Sequence, residues 1–346
     1  MRRIAPLPLF ALLALASSAA TTPCAAVEQT TFAVSKTTPV SGDGRWDYLS
    51  IDAAGTFLYV PRSTHTQVLA TATLAVVADI PNTDGVHGVA IAAPEGRGFT
   101  SNGKPGTSTI FDLKTNAVLG TVATAEDADC IIYDPASHHV LAFCGDAGVM
   151  VPIPAAVALP GGKADAPVVL GGKPEFAASD GQGKVFVNLV DKNEVVEIDT
   201  ATMKVVAHWP TAPGANPCGM AIDPATHRLY VGCRNQKLVV MDCTAGKVLA
   251  DLPIGPGVDA TAFHDGLAFA SCGDSTLAVV KETAPGTFSI VQTVTTAPGA
   301  RTMAIDPQKG TIFMPSADFA PAPADQPRQR PKMLPNTFKV ITVTKG

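Results

Sequence analysis

The chain has 346 residues, 46% hydrophobic and 16% charged, a balance that excludes a disordered or coiled-coil polypeptide. Its 30 glycines and 29 prolines disfavour long helices and suit many short strands joined by turns. The formal charge of −5 gives no general attraction for polyphosphate, and no Lys/Arg run offsets it, so nucleic acid is a disfavoured partner.

Residues 1–26 read as a secretory signal peptide. Arg2 and Arg3 precede an apolar run at 7–20, shorter than the roughly 20 residues a spanning helix needs. Cleavage is expected after Ala20 or Ala26, each closing a run of small residues. A lipid anchor at Cys24 is disfavoured by the Thr21-Thr22-Pro23 that precedes it. Loss of Arg2 and Arg3 takes the formal charge from −5 to −7. No other segment is suited to a membrane span, so residues 27–346 are expected to be one domain, periplasmic or secreted.

The first predicted strand, at 31–36, has no sequence neighbour to pair with. After it a pattern repeats seven times. Each copy opens on a short apolar run ending in Asp or another anchor residue, as in Leu49-Ser50-Ile51-Asp52 and Met220-Ala221-Ile222-Asp223. The anchors fall at 52, 92, 134, 180, 223, 264 and 306, spaced 40 to 46 residues apart. A turn leads to a second run (Phe57-Leu58-Tyr59-Val60), a third often closes on Asp (Ile110-Phe111-Asp112), and a fourth follows (Val248-Leu249-Ala250-Asp251-Leu252). Four strands in about 42 residues make one propeller blade. The fold class expected is therefore all-β, a seven-bladed β-propeller. The last copy supplies three strands, near 302–306, 311–314 and 338–343, and the strand at 31–36 would complete blade seven and remove an open edge. Two Pro-rich connections depart from the repeat, 154–167 in blade three and 319–335 in blade seven. The second is expected on the same face as the ring of polar residues described below.

Leu229-Tyr230-Val231-Gly232-Cys233 with Leu238-Val239-Val240-Met241-Asp242, preceded by Pro217-Cys218-Gly219-Met220-Ala221-Ile222-Asp223-Pro224, resembles the YVTN-type β-propeller repeat. The resemblance spans nearly all of the mature chain and implies the fold; that family includes surface-layer and binding modules, and related propellers are enzymes. Arg62, Cys144 and Ser316 stand where the family pattern has Asn after the second strand.

Five residues before each anchor, where the first strand of a blade enters the channel, stand Asp47, His87, Asp129, Glu175, Cys218, Asp259 and Arg301. All seven can ionise or ligate a metal. A second ring is expected at the ends of the second strands: Arg62, Asn102, Cys144, Asn188, Cys233, Cys272 and Ser316. The ligand-binding candidates are thus Asp47, Arg62, His87, Asn102, Asp129, Glu175, Asn188, Asp259 and Arg301. His87, Asp129, Glu175 and Asp259 are the candidate ligands for a divalent metal ion, the one cofactor the sequence offers. Crowded carboxylates could instead leave one as a general acid or base, and Arg301 and Arg62 could clamp an anion. Simple solvation of a wet rim is the competing reading. No Gly-x-Ser-x-Gly elbow, phosphate loop or His-Glu-x-x-His motif is present.

Six cysteines follow Ala26, an even number in an oxidising compartment. With the blade-five turn between Asp223 and Arg228, Cys218 falls opposite Cys233, and Cys130 falls opposite Cys144 in blade three, so both pairs are expected disulfides. The function expected is an exported, monomeric binding module with a small-molecule, metal or protein site at the mouth. The alternative is a metal-assisted hydrolase or lyase using the same residues, and a purely structural module would not need the mixed charges.

Overall fold

The computed structural model describes residues 1, 31–321 and 331–346. The expected signal peptide beyond Met1, with Cys24, lies outside the described residues, as does the middle of the blade-seven connection. Residues 31–346 form seven four-stranded antiparallel sheets. Their innermost strands are Ser50–Ile51, Val86–Ala92, Ala128–Asp134, Pro174–Ser179, Pro217–Asp223, Val258–His264 and Ala304–Ile305. These strands meet their neighbours in ring order, and the seventh meets the first. No helix among the described residues is long and apolar enough to cross a membrane.

Burial follows position in the blade. The second strand of blade three, His139–Cys144, is buried at every residue after the first, because sheets pack against both of its faces. The outer strand of blade four, Lys204–Pro210, alternates exposed and half-buried residues, because one of its faces is solvated. Apolar clusters lie between blades: Leu58, Val60 and Leu69 of blade one pack with Phe313, Phe338 and Val340 of blade seven.

The N-terminal strand closes the ring. Phe32–Pro39 pairs antiparallel with Lys339–Lys345, from Phe32 opposite Lys345 to Pro39 opposite Lys339. It completes blade seven outside the strands supplied by the C-terminus, as the repeat count required. Gln292 of blade six brackets the Phe32 backbone, accepting from its N–H and donating to its carbonyl, both at 2.7 Å. The Phe32 ring meets Phe269 of blade six edge-on at 5.2 Å.

In blades two to six the innermost strand carries one extra residue where it enters the channel. The register breaks between Val86 and Val89, Ala128 and Ile131, Pro174 and Ala177, Pro217 and Gly219, and Val258 and Ala260. Each break contains the expected rim residue: His87, Asp129, Glu175, Cys218 or Asp259. A β-bulge leaves its extra residue unpaired and re-aims its side chain, so one local device repeated five times builds the ring.

The same bulge overturns both expected disulfides. Gly219 lies opposite Gly232 as the turn dictates, but beyond the bulge Cys233 pairs with Pro217 and Cys218 has no partner across the ladder. Cys218 Sγ instead points at the carbonyls of Val258 and Gly232, at 3.1 and 3.4 Å. In blade three Cys144 pairs with Ala128, again leaving Cys130 in the bulge. All six described cysteines are free and buried. Peptide mapping of denatured, unreduced protein should find Cys218 and Cys233 alkylated. Recovery of a Cys218–Cys233 peptide would refute this register.

Candidate functional site

The bulges and the extended segments before blades one and seven bring the first ring to one mouth, but the residues do not share one site. Asp47, His87 and Arg301 line a cavity of about 1000 Å³ whose walls come from blades six, seven, one, two and three. Trp46, Phe319 and Pro298 form an apolar side, and Glu126, Asp127 and Asp146 an acidic one. Blades four and five contribute nothing to it.

Tyr48 lies beneath this mouth. It is buried, its ring meets Phe176 of blade four at 4.9 Å, and its hydroxyl donates to Glu175 Oε2 at 3.5 Å. Blade four stands across the ring from blade one, so Tyr48 spans the axis and gives the mouth a floor. Burial, then the charges of Asp259, Asp129, Glu175 and Asp47, push the phenol well above its ordinary pKa, so it stays a proton donor.

Three consecutive blades converge at the mouth, with Asp47 and His87 on the cavity wall and Asp129 beside them. His87 Nδ1 lies 2.8 Å from Asp47 Oδ2 and 3.4 Å from Asp129 Oδ1. One donor atom from each residue lies within 4.8 Å of the other two, the one such group among the described residues. Backbone contacts fix the supports: Tyr48 N–H donates to the His87 carbonyl at 3.0 Å, and Ser101 Oγ donates to the Asp129 carbonyl. Burial alone would lower His87, but the hydrogen bond it donates to Asp47 and the charge of Asp129 outweigh it and hold its pKa up to about 9. Burial raises Asp129 far above the usual carboxylate range; His87 offsets this in part, while Asp47, Glu175 and Asp127 reinforce it. One carboxylate, Asp129, and the His87 imidazole therefore hold protons at neutral pH.

The remaining candidates are engaged elsewhere. Glu175 accepts from Arg234 Nη2 at 2.9 Å, and Asp259 from Arg301 Nε at 2.5 Å. Of the four expected metal ligands, the structure brings together His87 and Asp129; Asp47 completes the group in place of Glu175 and Asp259. Burial raises Asp259 to about 6 despite the opposing Arg301. The Cys218 thiol is pushed up by burial and is a poor nucleophile.

The second ring needs correction. Arg62, Asn102 and Asn188 are fully buried inside the blades and cannot reach a ligand in the channel. Arg62 donates to Gln67 and to the carbonyls of Gly42 and Gly44, with its guanidinium 3.7 Å from the Phe338 ring centroid. It ties the entry segment of blade one to blade seven. Asn102 holds Thr107 and Thr109, and Asn188 donates to the carbonyls of Cys218 and Gly219, supporting the next blade's bulge. The residue that reaches the mouth is one further on: Ser63, Gly103 and Gly273 line the cavity. The signal was in the sequence, as the recurring glycine at 103, 145 and 273 just after a second strand. At Gly103 a Cβ would stand 3.0 Å from His87 Nε2, so glycine there leaves room for the imidazole.

No family model matches the chain, and no curated protein is similar to it in sequence. A solved chain of the Kuenenia stuttgartiensis hydrazine synthase is similar in fold, with a TM-score of 0.50 and 12% identity over 70% of this chain and 97% of that one. The chain is a β-propeller. At such identity the likeness carries the fold and nothing of the chemistry.

Proposed function

We propose that this protein is a binding propeller whose mouth cavity holds a divalent cation on Asp47, His87 and Asp129. The observation that carries the reading is the convergence of three donor atoms, from three consecutive blades, two of them on residues that line a cavity large enough for a small molecule. Separations of 2.8 and 3.4 Å suit the edges of a coordination shell with bonds of about 2.0–2.2 Å. Imidazole with two carboxylates suits Zn²⁺ or Mn²⁺ better than an all-oxygen cation such as Ca²⁺. Two carboxylates and a neutral imidazole carry the charge that such an ion cancels. A metal-assisted hydrolase or lyase is the second reading, favoured by the space the cavity leaves beside the triad. The segment at 1–26, with its basic start and short apolar run, supports a place outside the cytosol, periplasmic or secreted.

Titration calorimetry with MnCl₂ and ZnCl₂ tests the reading. The parent should take up one ion per chain. His87→Ala, Asp47→Asn and Asp129→Asn should each bind at least about tenfold more weakly, the loss expected when one ligand or its orienting partner goes. These are rim positions, and the variants should melt within a few degrees of the parent. Variants that bind like the parent would sink the proposal.

A further inference from the structure

Arg301 is held in place as few surface arginines are. Its Nε donates to Asp259 Oδ2 at 2.5 Å, and Asp259 is buried. Its backbone carbonyl accepts from Ser271 Oγ at 2.5 Å and from Ala260 N–H at 3.1 Å, so head and backbone are both fixed to blade six. A side chain so restrained has already lost much of the rotamer freedom that binding would otherwise cost. Among the described residues its two terminal nitrogens have no partner, and the side chain, 33% exposed, lines the cavity. Such a planar pair of N–H donors matches the two oxygens of a carboxylate.

Two further features select the rest of the ligand. Trp46, Phe319 and Pro298 line the same cavity from blades one and seven, with the Trp46 and Phe319 rings 6.1 Å apart. They offer a surface for an apolar or aromatic body. On the other side Glu126, Asp127, Asp146 and the nearby Asp84 outnumber Lys173 and Lys104, which pair with the three aspartates. The residual negative field opposes a doubly charged head such as phosphate more than a singly charged one.

We propose that Arg301 is the anion receptor of the mouth cavity and that its ligand is a small organic monocarboxylate with an apolar body. The inference rests on the mouth being a ligand site, and it holds with or without the cation.

The test is calorimetry with 3-phenylpropionate, its primary amide and phenyl phosphate, on EDTA-treated protein and again with MnCl₂. The parent should bind the acid in both states, and the amide and the phosphate at least about tenfold more weakly, as loss of a charge-assisted pair predicts. Arg301→Gln should weaken the acid by a similar factor, and Arg301→Lys severalfold, because an ammonium cannot offer the planar fork. Arg301→Lys keeps the charge beside Asp259 and serves if the Gln variant folds poorly. Arg234→Gln, off the cavity and paired with Glu175, should bind the acid like the parent. Equal binding of acid and amide, no binding of the acid, tighter binding of the phosphate, or a parent-like Arg301→Gln would overturn the inference. Loss of Mn²⁺ uptake with acid binding intact would defeat the cation site alone.

Discussion

Removing residues 31–39 from the chain should unfold the whole ring, not fray one end. The strand contributes seven register pairs to blade seven, from Phe32–Lys345 to Pro39–Lys339. It also inserts Phe32 into the cluster that joins blades six and seven, among Phe269, Leu277, Met314, Ile341 and Val343. A buried Phe→Ala change costs about 3–5 kcal/mol, out of a total stability on the order of 5–15 kcal/mol. Phe32→Ala alone should therefore lower the melting temperature by several degrees. Gln292→Ala, which removes both 2.7 Å hydrogen bonds to the Phe32 backbone, should cost about 1–3 kcal/mol. The full deletion should exceed both, since it also leaves the strand Lys339–Lys345 as an open edge ready to pair with another chain. Thermal and urea melts of the three variants beside the parent give the order directly. A deletion that melts like the parent would mean the ring is closed by something other than this strand.

How far the sequence could be read depended on which interactions set each feature. The blades were legible because every one repeats the same local demand, four short apolar runs separated by turns. The closing strand followed from one missing strand in the last copy and one unpaired strand at the start. The rim residues were legible for a related reason, since a fixed offset from the anchor marks the bulge in blades two to six and the extended entry segment in blades one and seven. What the offset could not supply was the bulge itself. A residue that looks in register with its cross-strand neighbour is turned aside, and so Cys218 and Cys233 do not meet. The same one-residue displacement hid the mouth-facing position behind Asn102, where Gly103 reaches the cavity and Asn102 does not. The choice of partners within the ring was also out of reach. Glu175 is claimed by Arg234, one residue past the end of a second strand, and Asp259 by Arg301, which leaves Asp47 to complete the group with His87 and Asp129. Those pairings depend on distances across the channel, which no spacing along the chain encodes.

Cation uptake at the mouth should release protons and strengthen steeply with pH. The groups that face one another there are Asp47, His87 and Asp129 on three blades, with Asp127 and Glu175 close enough to be felt. His87 is held up to about 9 and Asp129 is raised far above an ordinary carboxylate, so the metal-free cluster carries about two protons at neutral pH. Both groups bind protons more tightly in the folded than in the unfolded chain. Their contribution to stability is thus present at low pH and lost as pH rises through the folded values, toward about 9 for His87. A divalent cation replaces those protons, and its apparent affinity rises by about tenfold per pH unit for each proton displaced. Between pH 6 and pH 8 the gain should reach roughly a thousandfold or more, flattening above pH 9. The stabilisation by MnCl₂, read as a melting-temperature increment, should accordingly be larger at pH 8.5 than at pH 6. Calorimetry in buffers of different ionisation enthalpy counts the protons: about two for the parent at pH 7, and about one for His87→Ala if weak binding persists. Uptake of the ion with no proton release at pH 7 would place the cation elsewhere on the molecule.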